Sequence, residues 1–122
     1  MPPINLTICV TCQRATTPAG AEHLGRHMYR AVESALATRQ SNAQIRLREV
    51  ECMSVCTRAC TVAVSSPGKW TYIIGDLDAG RDMDDLFSYL ESYASNPHGT
   101  PPLKDRPTAI RRGTVARLPP TM

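Results

Sequence analysis

Residues 4–9, INLTIC, alternate apolar and polar and are rich in Ile, Leu and Thr, which predicts a strand ending at the first cysteine. A loop, VTCQRATT, follows. Pro18, with Thr17 before it as N-cap, suits the first turn of a helix. From there to about Arg39 the apolar residues Leu24, Met28, Ala31, Val32, Ala35 and Leu36 recur at helical spacing as one stripe. Gly25 weakens this helix slightly without breaking its pattern. SNAQ ends it, and IRLREVE, residues 45–51, alternates again with Ile45, Leu47 and Val50 apolar, predicting a second strand that runs into Cys52. Beyond a cysteine loop, TVAVSS (61–66) and KWTYIIG (69–75) flank Pro67-Gly68, the mark of a hairpin. Over residues 80–95, Met83, Leu86, Phe87, Leu90 and Tyr93 share one side of a final helix. Asp82, Asp84 and Asp85 crowd its first turn, where the helix dipole favours negative charge.

The predicted order is β-α-β, hairpin, α. A β-α-β unit makes its two strands parallel with a right-handed crossover. The hairpin adds two antiparallel strands, and the helices pack on a four-stranded mixed sheet, an α/β fold similar to the thioredoxin-like arrangement. Both cysteine groups fall just past the carboxyl ends of the two parallel strands. In an open α/β sheet those ends face the same way, so loops far apart in sequence become neighbours there.

Composition changes this picture mainly at the C-terminus. An apolar fraction of 42% with 20% charged residues in 122 residues is ordinary for one globular domain. No stretch approaches the roughly 20 apolar residues of a membrane helix, and MPPINLTIC lacks the basic start and long apolar run of a secretory signal. A cytoplasmic setting is therefore expected, where clustered thiols bind metal or do redox work more often than they form a disulfide frame. Residues 1–95 carry nine Lys/Arg against ten Asp/Glu, whereas Lys104, Arg106, Arg111, Arg112 and Arg117 face only Asp105 beyond them. The net charge of +3 is a property of that end of the chain, which also holds six of the ten prolines. Residues 1–96 are read as the domain and 97–122 as a Pro-rich basic tail, extended or disordered, whose removal should leave the site intact. Nucleic-acid binding would need a basic folded face, which residues 1–95 lack.

The chemistry lies in the five cysteines, Cys9, Cys12, Cys52, Cys56 and Cys60. Four soft thiolates together select zinc or an iron–sulfur cluster. Cys9-x2-Cys12 alone does not discriminate, since zinc knuckles, redox pairs and cluster proteins all use that spacing. Cys52-x3-Cys56 is more selective: a zinc ribbon repeats the two-residue spacing in its second half, and neither the plant-type nor the bacterial ferredoxin run matches.

The pattern resembles the thioredoxin-like [2Fe–2S] ferredoxins and the related small subunit of respiratory NADH dehydrogenase. These have two ligands after the first strand, a C-x3-C pair after the second, then an apolar hairpin and a helix. ECMSVC is similar to the second pair, and TVAVSSPGKWTYIIGDLDAGRDMDDLFSYL looks like the hairpin and terminal helix. The resemblance spans residues 4 to about 95. Within this class the chain looks like a bacterial family of predicted metal-binding proteins of unassigned activity, some encoded beside cobalamin-biosynthesis genes. The resemblance implies Cys9, Cys12, Cys52 and Cys56 as cluster ligands and a role in one-electron transfer or cluster or metal delivery rather than catalysis. It also implies a protein partner and a homodimer as one assembly state. The Cys9–Cys12 gap is narrower than in the ferredoxins. Cys60 falls on a non-ligand position, as a buried small apolar residue opening a strand, with replacement of Cys12 or a second metal as the alternatives. Thr11, Ser54 and Thr57 are hydroxyls, and Arg14 and Arg58 cations, placed where they would offset cluster charge, although Arg14 and Arg58 read first as solvated or partner-facing side chains.

Two rivals remain. A structural or transfer zinc site, or a cobalt site, would use the same thiols. A thiol–disulfide oxidoreductase would use CVTC at a helix N-terminus, but QRATT separates Cys12 from Pro18 and no proline occurs between Pro18 and Pro67. His23 and His27 have metal-compatible spacing yet lie off the apolar stripe, and His98 belongs to the tail. Asp76/Asp78 and Asp84/Asp85 read as turn and helix-start residues, and Gly75 and Gly80 stand alone rather than in a phosphate loop.

Overall fold

The computed structural model describes residues 3–10, 24–39, 44–51 and 60–120. Within them the strands are β1 (Ile4–Cys9), β2 (Ile45–Val50), β3 (Val62–Ser65), β4 (Thr71–Ile74) and β5 (Thr114–Leu118), and the helices are α1 (Leu24–Thr38), α2 (Met83–Ser95) and α3 (Thr108–Gly113). The sheet order is β2-β1-β3-β4-β5. β1 and β2 pair in parallel, from Ile4 opposite Ile45 to Cys9 opposite Val50. The remaining neighbours are antiparallel. This is the expected mixed α/β architecture with one strand more than predicted.

Alternation decides which side of the sheet is core. Ile4, Leu6 and Ile8 of β1 are fully buried, as are Val62, Val64, Tyr72 and Ile74 across β3 and β4, while the intervening Asn5, Thr7, Ala63 and Ile73 are half-buried. Met28 and Val32 of α1 and Leu86, Leu90 and Tyr93 of α2 complete the same cluster. Leu24, Ala35 and Leu36, from the expected α1 stripe, pack partly buried against it. The end of α1 meets the start of α2 through Arg39, whose guanidinium pairs with Asp84 at 2.6 Å and lies over Phe87. Pro67 and Gly68 make the hairpin turn: Gly68 adopts φ 76 and the Lys69 N–H donates to Ser66 O at 3.1 Å, the geometry of a type II turn.

The segment 97–122, expected as an extended or disordered tail, is folded over most of its length. A 3-10 turn (Leu103–Asp105) leads to α3, which buries Ala109 and Ile110 in the core. β5 then pairs with β4, with an irregularity between Ile73 and Ile74. The physical reason is the edge position. Four of the five β5 residues are exposed, so a charged, weakly alternating strand satisfies β4 without needing an apolar run. Pro119 and Pro120 follow it where a strand can end. Arg117 of β5 lays its guanidinium over the Trp70 ring, 4.7 Å from the centroid. No described helix is long and apolar enough to cross a membrane.

Candidate metal centre

β1 and β2 end together and β3 begins beside them. At this rim the Val10 N–H donates to Val50 O at 2.9 Å, and the Cys9 N–H donates to Thr61 O at 3.1 Å. Cys9 is thus held between the exit of β2 and the entry to β3. It is 1% exposed, and its thiol donates to the carbonyl of Glu51 at 3.6 Å, within reach for a sulfur donor. Glu51 is the residue before Cys52 in sequence, and Thr61 the residue after Cys60. The chain segments that carry all five thiols therefore leave or enter the sheet at one rim.

Cys12, Cys52 and Cys56 lie outside the described residues, as do Thr11, Arg14, His23, Ser54, Thr57 and Arg58. Among the described residues no group of three or more His, Cys, Asp or Glu could hold a metal ion. Two thiols are described. Cys60 is 3% exposed and belongs to the hydrophobic core. Its backbone exchanges hydrogen bonds with Leu77 in both directions, at 3.1 and 3.2 Å, which fixes it at the entry to β3. It also lines, with Leu24, His27, Leu77, Asp78 and others, a cavity of about 320 Å³.

Gly25 is the residue whose role the sequence did not disclose. A Cβ there would come within 1.9 Å of Cys9 O and 2.9 Å of the Cys9 and Val10 carbonyl carbons. The first turn of α1 therefore rests directly on the backbone of the rim. A glycine inside an otherwise good helix was the signal available.

The same end of the sheet carries a charge cluster. Asp82 is 4% exposed, accepts from the Asp78 N–H at 2.9 Å and takes both prongs of Arg81 at 2.9 Å. The hydrogen bond from Arg81, helped by the Asp78 amide and the charges of Arg81 and Arg112, holds its carboxyl below the usual range despite burial. Asp82 thus shapes the turn into α2 as a buried, paired group. Asp78 accepts from the Gly80 and Arg81 amides, a turn role as expected, and Asp76 adopts φ 59. Arg112, from the supposed tail, lines a pocket of about 250 Å³ with Asp76, Arg81 and Asp82. His27 is exposed on α1, and His98 is exposed with its carbonyl accepting from Trp70 N–H.

Two solved structures share this fold, both of the thioredoxin-like [2Fe–2S] ferredoxin from Aquifex aeolicus. One superposes with a TM-score of 0.58 at 18% identity, covering 100% of this chain and 99% of the other. The second, a crystal structure of the wild-type protein, superposes with a TM-score of 0.58 at 17% identity, covering 95% and 99%. At such identities the likeness is one of fold. No curated protein matches the sequence. The match that spans nearly the whole chain, residues 6–120, is to the family model described as a protein of unknown function, DUF1636, and the chain belongs to that family.

Proposed function

We propose that the chain is a ferredoxin-like carrier that binds a [2Fe–2S] cluster through Cys9, Cys12, Cys52 and Cys56, and that it exchanges an electron, or the cluster or metal itself, with a protein partner. The carrying observation is the contact of the Cys9 thiol with the Glu51 carbonyl, because it sets the first predicted ligand beside the residue that precedes the third. The shared fold with [2Fe–2S] ferredoxins supports the reading. When bound, such a cluster supplies one-electron chemistry.

The chain's own part is positioning. Parallel register fixes the end of β2 against Cys9, and the amide of Cys9, committed to Thr61, fixes that residue's backbone. To act as a ligand Cys9 must give up its proton and with it the bond to Glu51 O, so ligation exchanges a weak S–H contact for a thiolate bond. Burial of Cys9 limits water at its sulfur.

The deciding experiment is iron and acid-labile sulfide analysis, with an absorption spectrum, on protein purified without oxygen. About two irons and two sulfides per chain, with visible absorption that bleaches on reduction, are expected. Colourless protein carrying stoichiometric zinc would replace the cluster with the zinc reading.

A further inference from the structure

Strand register sorts the sheet into two faces. Ile4, Leu6 and Ile8 of β1 share the core cluster with Met28 of α1, Leu90 of α2 and Ile110 of α3, so the three described helices pack on one side. Alternation puts the intervening strand residues on the other side. There Arg48, Thr7, Ala63, Ile73 and Ala116 stand in one row across all five strands. Arg46, Asn5 and Ser65 form the next row, and Thr71 opposite Leu118 extends the face towards β5. Leu118, at 54% exposure, is the most exposed large hydrophobic residue described.

This face runs into the thiol rim. The same alternation carries Cys9 and its partner Val50 onto it. Arg48, opposite Thr7, therefore stands one two-residue step from the Cys9–Val50 pair, about 7 Å along the strand, and Arg46 one step further. Both arginines are exposed, and neither forms an ion pair among the described residues. Glu49, between Arg48 and Val50, belongs to the helix side, where it pairs with Arg26 of α1 at 2.7 Å. No acidic residue occupies a strand position of the open face, so its charge has one sign.

Resting on the carrier reading above, we propose that this open sheet face is where the exchanging protein docks, and that the partner sets an acidic patch over Arg46 and Arg48. Charge complementarity selects the acidic groups, while Ile73, Ala116 and Leu118 offer the apolar part of the contact. Size selects a transient encounter. Five strands of four to six residues, about 4.8 Å apart, give a face of roughly 20 by 15 Å. That is well below the area of about 800 Å² per partner in a standard stable interface, and weak electron-transfer contacts sit at this small end. A second copy of the chain would bring only the same sign of charge to the face.

Two measurements test it. In the first, the reduced protein is oxidised by hexacyanoferrate(III), an anionic reagent: one electron leaves the reduced site and the reagent becomes hexacyanoferrate(II). The double variant Arg46→Gln, Arg48→Gln should react about tenfold more slowly at low salt, with a flatter salt dependence. Its oxidation by cationic hexaamminecobalt(III) should not slow. Iron content and visible spectrum should match the parent, because neither arginine is a proposed ligand. The variant Lys104→Gln, Arg111→Gln removes equal charge elsewhere and should react like the parent. Equal rates for parent and the Arg46, Arg48 variant, or an equal loss in that control, overturn the docking face and leave the cluster reading in place. The second measurement, an NMR titration with a polyglutamate peptide, needs no cluster. Amide shifts should centre on Thr7, Arg46, Arg48 and Ala63. Shifts centred on Arg111, Arg112 and Arg117 overturn the proposal. So do concentration-dependent shifts of the face in the protein alone, which would assign it to a second copy. Colourless parent protein would sink the carrier reading, and the titration would then decide the face by itself.

Discussion

Cys9 and Cys60 differ in what their sulfurs face, although the Cys9 amide bonds to Thr61, the residue after Cys60. The Cys9 thiol faces the exit of β2, and Cys60 is part of the core. Under the proposed cluster function, Cys9→Ser is expected to abolish iron binding, while Cys60→Ser should keep most of the cluster's visible absorption; a colourless Cys60→Ser protein would make Cys60 a ligand. Gly25 sets a contest between two effects. Helix propensity alone would favour Ala there by about 1 kcal/mol. The added methyl, however, would press on the Cys9 carbonyl at 1.9 Å, and backbone cannot yield as a side chain can. Overpacking of this kind costs about 1–3 kcal/mol or more, so Gly25→Ala should lower the urea midpoint, and by displacing Cys9 reduce iron content too. Neither the Gly25 contact nor the burial of Asp82 was legible in the sequence, because each depends on which backbone passes close by. The position of Cys9 at a strand end was legible, since alternation in INLTIC stops there.

At the scale of elements, β1, α1, β2, the hairpin and α2 were readable because each buries one regular face. Tyr89 was not: it is fully buried between the marked positions of the α2 stripe, on a helix packed more broadly than one row. α3 and β5 were missed for a different reason. Prolines and charges dominate 97–122, and only Ala109, Ile110 and Gly113 of α3 face inward. Ile110 is fully buried, so Ile110→Ala should cost about 2–5 kcal/mol in denaturant unfolding, a loss no dispensable tail would show. Deleting residues 97–122 should accordingly compromise the fold rather than spare the site. Lys69 performs an element-level task as well. It is buried, and its ammonium donates to the Tyr93 and Ala94 carbonyls at 3.0 and 3.1 Å, supplying the cation that the last turn of α2 lacks in its own sequence.

For the molecule as a whole, the paired and buried titratable groups set where stability lies on the pH axis. Asp82 has its folded pKa lowered, chiefly by the hydrogen bond from Arg81. Its contribution is present above the ordinary carboxylate value of about 3.9 and is lost as pH falls through the lower folded value. Tyr89 and Tyr93 are shifted the other way, by burial first. Their contribution is complete below about 10 and is lost as pH rises beyond it, because the unfolded chain then releases phenolic protons that the folded one keeps. Urea midpoints measured across pH should thus be flat near neutrality with respect to these groups and fall at both ends. Asp82→Asn should flatten the acid limb and leave the alkaline one in place.

The chain has a single tryptophan, and it is Trp70, covered by the Arg117 guanidinium of the edge strand. That pairing makes the indole a native optical reporter of one event. If β5 peels from β4 before the remainder melts, emission from Trp70 should move to longer wavelength while far-ultraviolet circular dichroism still records intact helices. Coincident curves from the two signals would mean instead that the last strand and the core part company together.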